Sequence, residues 1–198
     1  MKKVILMAAV SLAVMSCKKT EEHKTVEGEV VSVPDTAGVD NTTVVSPTDS
    51  TTGVVNSADA ETAKKFVEGT IMEVKLGNIA QQNAANAKVK EFGKMMISDH
   101  TKGGDELRAI ASKKGWTVPA ELGAEKKAKY DELAAKKGAD FDKTYASFMV
   151  EDHKEDIEEY TKASNGAADA DLKAYAKKTL PTLEHHLKMA KDAETAVK

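Results

Sequence analysis

Apolar residues between positions 57 and 198 recur at spacings of three and four, and no stretch alternates as a half-buried strand would. Spacings of three and four place side chains on one face of a helix. Asn86 and Asp169 have the residue types expected at helix N-caps, and Gly115 has the type expected just after a helix end. The pattern therefore predicts an all-α domain with four long helices and one short one, covering residues 59–82, 87–114, 125–137 (the short helix), 140–163 and 170–196.

The connections between these helices constrain their packing. Only residues 83–86 separate the first two predicted helices, so we expect them to be antiparallel neighbours. The region 57–198 is long enough to bury one core of its own. We therefore expect it to fold as a single helical domain.

The N-terminus has the features of a secretory signal. Lys2 and Lys3 precede an apolar stretch, residues 4–15, which is too short to remain as a membrane-spanning helix. Residues 14–17 read Val-Met-Ser-Cys and resemble a bacterial lipobox, in which the cysteine is lipidated and becomes the new N-terminus. An ordinary signal peptide with an incidental cysteine is the alternative. Because Cys17 is the sole cysteine and falls at the cleavage position, we expect residues 1–17 to be a lipoprotein signal.

Residues 18–56 differ in composition from the rest of the chain. They are rich in Thr, Ser, Val and Asp, contain Pro34 and Pro47, and lack a helical period. This composition is typical of a low-complexity, disordered tether. We expect it to link the helical domain to a membrane anchor formed by lipid on Cys17.

The charge pattern excludes one class of partner. The formal net charge is −3, and lysines and acidic residues are interspersed along the predicted helices. A nucleic-acid-binding protein would show a basic patch or stripe. We therefore expect no nucleic-acid partner, and the sequence indicates no particular protein partner.

Candidate chemistry is concentrated on the apolar faces of the four long predicted helices, each of which has one ionisable residue among its apolar ones. Ionisable groups are rarely buried unless they pair with one another or bind something. Imidazole and carboxylate groups from separate helices can hold iron, zinc, manganese or copper in a helical core. The alternative is a metal-free network of hydrogen bonds. The four candidate ligands are Glu73, His100, His153 and His186.

Two aspartates directly precede two of these histidines. Asp99 lies next to His100, and Asp152 lies next to His153. Such neighbours could orient the histidines or act as alternative ligands. The chain has no nucleophile elbow, phosphate-binding loop or dinucleotide fingerprint, so an enzyme is the least favoured interpretation.

Six segments of the chain form a specific combination of motifs: residues 66–67 (FV), 73–77 (EVKLG), 92–100 (FGKMMISDH), 141–145 (FDKTY), 152–153 (DH) and 180–187 (LPTLEHHL). Together they resemble the DUF4142 family, a bacterial envelope domain of unknown function that is often named as an outer-membrane protein. The resemblance covers nearly all of residues 60–190. It implies a ferritin-like four-helix bundle, in which Glu73, His100, His153 and His186 fall at the family's characteristic positions.

One departure from the ferritin-like pattern bears on the kind of metal site. Di-iron proteins of that class use Glu-x-x-His on two helices. Here Ile97, Val150 and Leu183 stand three residues before the histidines, and none can bind a metal. The sequence therefore favours a mononuclear site, or no site, over a di-iron centre.

These observations lead to two functional hypotheses. The first is a lipid-anchored protein of the cell envelope, on the outer membrane, whose domain lies in the periplasm or at the surface and binds a metal, with a link to stress protection. The second is a non-catalytic structural or protein-binding module of the envelope with a metal-free His/Glu network.

Overall fold

The computed structural model describes residues 57–198, and all regular secondary structure in that range is helical. This confirms the predicted all-α class and the short helix between the second and third long ones. No helix in this part of the chain is both long and apolar enough to cross a membrane. The predicted signal at 1–17 with Cys17, and the predicted tether at 18–56, lie outside the described residues. The helices are α1 (Ser57–Asn83), α2 (Ala87–Lys114), α3 (Ala124–Ala134), α4 (Gly138–Gly166) and α5 (Ala170–Ala196).

The four long helices pack as two hairpins. Helix α1 lies along α2, and α4 lies along α5; α2 also packs on α5, and α1 on α4. Helix α3 lies against α1 and α4. Each long helix therefore faces a shared interior.

The interior consists of two apolar clusters. One contains Phe92 and Tyr145 and surrounds the end of the domain with the α1–α2 turn, and the other contains Phe66 and Tyr160 at the opposite end. On α2, α4 and α5, the buried residues of one cluster precede the candidate ligand and those of the other cluster follow it. On α1, the boundary between the clusters falls between Ile71 and Met72, directly before Glu73. The four candidate ligands thus occupy a polar layer between two apolar clusters.

Both ends of α2 and the start of α5 lie where local capping residues predict. The Asn86 side chain accepts a hydrogen bond from the Lys88 N–H, and the Asp169 side chain accepts hydrogen bonds from two N–H groups at the start of α5. Gly115 ends α2 in the left-handed region, with φ of 69°, which glycine adopts without steric cost.

Four predicted helix bounds were wrong by two or three residues: the end of the short helix, both ends of α4 and the start of α1. The short helix ends at Ala134 rather than at 137, because the Asn83 side chain donates hydrogen bonds to the carbonyl groups of Ala134 and Lys136. Helix α4 begins at Gly138 and ends at Gly166, where 140 and 163 were predicted. The Ala167 N–H extends the hydrogen bonding by donating to the Ala163 carbonyl.

The start of α1 also differs from the prediction. Asp59, predicted as its first residue or cap, lies inside a helix that already includes Ser57. Its buried carboxylate accepts a hydrogen bond of 2.7 Å from the Asp169 N–H. Asp59 therefore joins the start of α1 to the start of α5.

Candidate functional site

The structure brings the four candidate ligands together in the polar layer. Each comes from a different long helix, and their helical spacing from apolar neighbours turns them inward. Their exposed fractions are 1% for Glu73, 8% for His100, and 0% for His153 and His186. By contrast, His185, the neighbour of His186 on α5, is exposed.

His153 has one partnered and one unpartnered ring nitrogen. Its Nδ1 lies 3.0 Å from the carbonyl oxygen of Met149, one turn earlier on α4. A carbonyl oxygen can only accept, so Nδ1 bears the proton and Nε2 has a lone pair. That Nε2 faces Glu73 Oε1 at 3.4 Å, and neither atom has a hydrogen-bond partner.

The other two histidines connect Glu73 to the surface. His100 Nδ1 lies 2.7 Å from Glu73 Oε2, and His100 Nε2 lies 3.2 Å from His186 Nδ1. His186 Nε2 in turn lies 3.0 Å from Oδ2 of the half-buried Asp99. Asp99 thus bonds the histidine of another helix, whereas its position next to His100 alone had suggested that it might serve its neighbour.

Burial sets the charge of these groups. It lowers the pKa of His100 to about 4, that of His153 to about 3 and that of His186 to about 4. Burial, followed by the nearby charge of Asp152, raises the pKa of Glu73 well above its usual value. Near pH 7 without a cation, the three rings are therefore neutral, and burial favours the protonated form of Glu73.

These protonation states define one complete metal-free arrangement. Glu73 donates from Oε2 to His100 Nδ1, His100 donates from Nε2 to His186 Nδ1, and His186 donates from Nε2 to Asp99. All three short contacts of this chain are then satisfied. The lone pairs of His153 Nε2 and Glu73 Oε1 still face each other without a proton between them.

A metal ion fits the same geometry with a different placement of protons. The three histidines each offer a ring nitrogen within 4.8 Å of the others. If His100 Nδ1 donates to Glu73 Oε2, every histidine donates a hydrogen bond from one ring nitrogen to an oxygen atom. The lone pairs of the other nitrogens, His100 Nε2, His153 Nε2 and His186 Nδ1, are then free. Metal–nitrogen bonds of 2.0–2.1 Å place tetrahedral ligand atoms roughly 3.3 Å apart. Two separations match that spacing: 3.2 Å between His100 Nε2 and His186 Nδ1, which belong to the histidine group, and 3.4 Å between His153 Nε2 and Glu73 Oε1, which belong to the second group that these two residues form with Asp152.

Asp152 belongs to a second potential ligand group. It is half-buried, and one of its carboxylate oxygens lies within 4.8 Å of ligand atoms of Glu73 and His153. Burial raises the pKa of Asp152 to about 6. The two aspartates singled out from the sequence therefore lie on different sides of the site, with Asp99 at His186 and Asp152 at Glu73.

Two further residues near the site were not recognised as functional from the sequence. Asp156 lies one turn after Asp152 on α4, and burial followed by the charges of Glu73 and Asp152 raises its pKa well above the usual value. The hydroxyl group of Tyr145 is buried and has no hydrogen-bond partner. Both residues lie on the inward-facing stripe of α4 that includes His153. This position is the sequence feature from which they could have been recognised.

Fold and site together define an all-helical protein with a buried cluster of three histidines and one glutamate. A family model described as a domain of unknown function, DUF4142, matches residues 44–193. The chain belongs to this family. No curated protein and no solved structure matches the chain.

Proposed function

We propose that this chain is a lipid-anchored envelope protein whose ferritin-like four-helix bundle binds one transition-metal ion. The ligands in this proposal are His100 Nε2, His153 Nε2, His186 Nδ1 and Glu73 Oε1. Iron, zinc, manganese and copper all suit this mixture of imidazole and carboxylate. Metal handling, linked to stress protection in the envelope, is the proposed role.

One observation supports the proposal above the others. Each histidine has one ring nitrogen against an oxygen acceptor, which leaves its other nitrogen directed toward the centre of the cluster. Histidine ligands of metals commonly donate their second N–H to a carboxylate or carbonyl in this way, because the bond fixes the tautomer and the ring orientation. Met149 O and the carboxylates of Glu73 and Asp99 have that role here.

The composition of the cluster favours a single ion. Three nitrogens and one carboxylate oxygen complete a four-coordinate shell without a Glu-x-x-His repeat. A cation also provides the positive charge that an ionised Glu73 lacks in the metal-free protein. Metal binding therefore offsets the cost of burying that carboxylate.

Metal content is the decisive measurement. Residues 18–198 are incubated with iron, zinc, manganese or copper, passed over a desalting column and analysed by mass spectrometry for bound metal. We expect one retained ion per chain, and its loss in the His100→Ala and His186→Ala variants. His185→Ala is the matched control, since its ring is exposed on the same helix. A folded wild-type protein without retained metal would refute the proposal.

A second candidate function is a structural or protein-binding envelope module. It is favoured by the chain of hydrogen bonds from Glu73 through His100 and His186 to Asp99, which is complete without a metal. A ligand that binds only the native state raises stability. In this alternative, therefore, added metals leave Tm unchanged, whereas the metal-binding proposal requires a metal-dependent rise in Tm.

The anchor has an independent test. In cells that express the full chain, Cys17→Ser is expected to move the protein from the membrane fraction to the soluble fraction. Thr25→Ser lies outside residues 14–17 and serves as the control. An unchanged membrane fraction for Cys17→Ser would contradict lipid attachment at this residue.

A further inference from the structure

An open recess of about 720 Å³ lies where α3 meets α1 and α4. Seven acidic side chains and two lysines line it. A cleft lined mainly by one sign of charge concentrates ions of the opposite sign and speeds their association. The recess is therefore an attractive environment for cations.

The recess touches the ligand cluster through Asp152. This residue lines the recess, and one of its oxygens lies within 4.8 Å of ligand atoms of Glu73 and His153. The two atoms without partners, Glu73 Oε1 and His153 Nε2, belong to the same pair of residues and are fully shielded from solvent. Asp152 thus connects the solvent-facing acids with the unpartnered atoms of the core.

A glycine of α1 lines the recess. A Cβ at Gly69, which lines the recess, would meet nothing within 4 Å. By contrast, a Cβ at Gly77 or Gly93 on the α1–α2 contact would lie 2.7 Å from another atom. Alanine would stabilise a helix interior by up to about 1 kcal/mol relative to glycine. Packing therefore does not account for Gly69, and a side chain at this position would enter the open space of the recess.

A second opening has the wrong charge for a cation. This cleft of about 220 Å³ reaches His100 between α1 and α2. Lys75 and Arg108 line it together with a single acid, Asp105. Two basic side chains against one acid, with Lys75 paired to Glu121 at 3.0 Å, make this opening less attractive to a cation than the acidic recess.

We infer that the acidic recess between α1, α3 and α4 is the route by which a divalent cation reaches the core, with Asp152, Glu73 and His153 as the first position it occupies. The cation then moves to the three histidines. This inference rests on the proposed metal-binding function and adds to it a path and a transfer ligand.

Association kinetics test the charge of the recess. Stopped-flow absorbance follows Co²⁺ binding to residues 18–198 in the wild type and in Glu155→Lys/Glu158→Lys, which reverses two acids that line the recess. We expect association about tenfold slower, with a weaker salt dependence. Glu91→Lys/Glu184→Lys makes the same change in net charge at exposed positions outside the recess, and should associate at nearly the wild-type rate.

A steric variant tests the path independently of charge. Gly69→Leu places a side chain in the recess, where the added Cβ meets no other atom. We expect slower Co²⁺ association and, in EDTA competition, an equally slower dissociation, so that Kd stays unchanged. Gly69→Ala adds only a methyl group and is the matched control.

The outcomes separate the route from the site. Wild-type Co²⁺ binding with unchanged rates in both recess variants would overturn the route and leave the metal site standing. Faster association in Lys75→Gln/Arg108→Gln together with unchanged recess variants would assign the route to the opposite cleft. Absence of Co²⁺ binding to the wild type, together with no retained iron, zinc, manganese or copper, would refute the metal site itself.

Discussion

His153 Nε2 and Glu73 Oε1 lie 3.4 Å apart in the centre of the domain, and neither atom has a hydrogen-bond partner. A buried polar atom without a partner costs about 1–3 kcal/mol. The cost is larger here, because two acceptors face each other. A cation between them would satisfy both atoms at once, so this pair is where the metal-free fold gains most from a ligand.

Replacing His153 by leucine should separate function from stability. His153→Leu removes an unpartnered nitrogen and keeps a side chain of similar size, so we expect the metal-free protein to be at least as stable as the wild type. The metal-dependent rise in Tm should disappear. Calorimetry with and without Zn²⁺ measures both effects, and His185→Leu should keep the rise. A drop of metal-free stability by 2 kcal/mol or more, a range typical of a lost buried network, would indicate a structural role instead.

Metal binding should release about one proton per ion near pH 7. Without metal, Glu73 and the three histidines hold four protons in the arrangement derived above. With metal they hold three, because the Glu73 carboxylate becomes a ligand and accepts from His100. Isothermal titration in buffers with different enthalpies of ionisation measures the number released. An observed binding enthalpy that is the same in every buffer would contradict this accounting.

Glu73→Gln should stabilise the metal-free protein at neutral and alkaline pH while abolishing tight metal binding. The pKa of Glu73 is raised in the fold, so its carboxyl favours the native state at low pH and this contribution is lost as pH rises above the unfolded value of about 4.5. Glutamine does not ionise and removes that loss. A gain of about 1 kcal/mol corresponds to a Tm rise of roughly 3–6 °C for a domain of this size.

The pH profile provides the check on this substitution. Thermal melts between pH 4 and pH 8.5 should show the advantage of Glu73→Gln growing with pH. Glu91→Gln, which removes an exposed carboxyl from α2, should give a curve parallel to the wild type. A constant offset between Glu73→Gln and the wild type at all pH values would exclude titration of Glu73 as the cause.

Asp142 stabilises the turn between α1 and α2 from the start of α4. Its buried carboxylate accepts hydrogen bonds from the Ala85 and Asn86 N–H groups, at 2.8 Å for the shortest. We expect Asp142→Ala to cost about 2–3 kcal/mol, because hydrogen bonds to a charged group are lost and their donors are left unpaired. Urea unfolding measures the change. Asp140→Ala removes an exposed acid from the first turn of the same helix and should cost below about 1 kcal/mol.

Much of the fold followed from local signals in the sequence. The bounds of α2 and the start of α5 were predictable because Asn86, Gly115 and Asp169 act within a few residues of themselves. The end of α3 was not, since it depends on a side chain, Asn83, that is 51 residues away from Ala134. The role of Asp59 at the start of α5 is non-local in the same way.

The candidate site was likewise predictable from local sequence features and unpredictable where it depends on contacts between distant residues. Helical periodicity was enough to single out Glu73, His100, His153 and His186, because each interrupts an apolar stripe. It could not predict that Asp99 bonds His186, since this contact depends on the relative heights of α2 and α5. The acidic recess was also beyond prediction, because it exists only once α3 packs against α1 and α4.

The contrast between two glycines of α1 provides a last test of the packing. A Cβ at Gly77 would lie 2.7 Å from the Gly93 carbonyl oxygen and 2.9 Å from Ile97 Cγ1, so alanine there must push α1 away from α2. We expect Gly77→Ala to destabilise the domain by about 1–3 kcal/mol, as overpacking does. Gly69→Ala, on the same helix but facing open space, should stabilise it by up to about 1 kcal/mol. Urea denaturation of both variants measures these opposite signs, and equal effects would mean that helix propensity alone, rather than the close α1–α2 contact, determines the outcome.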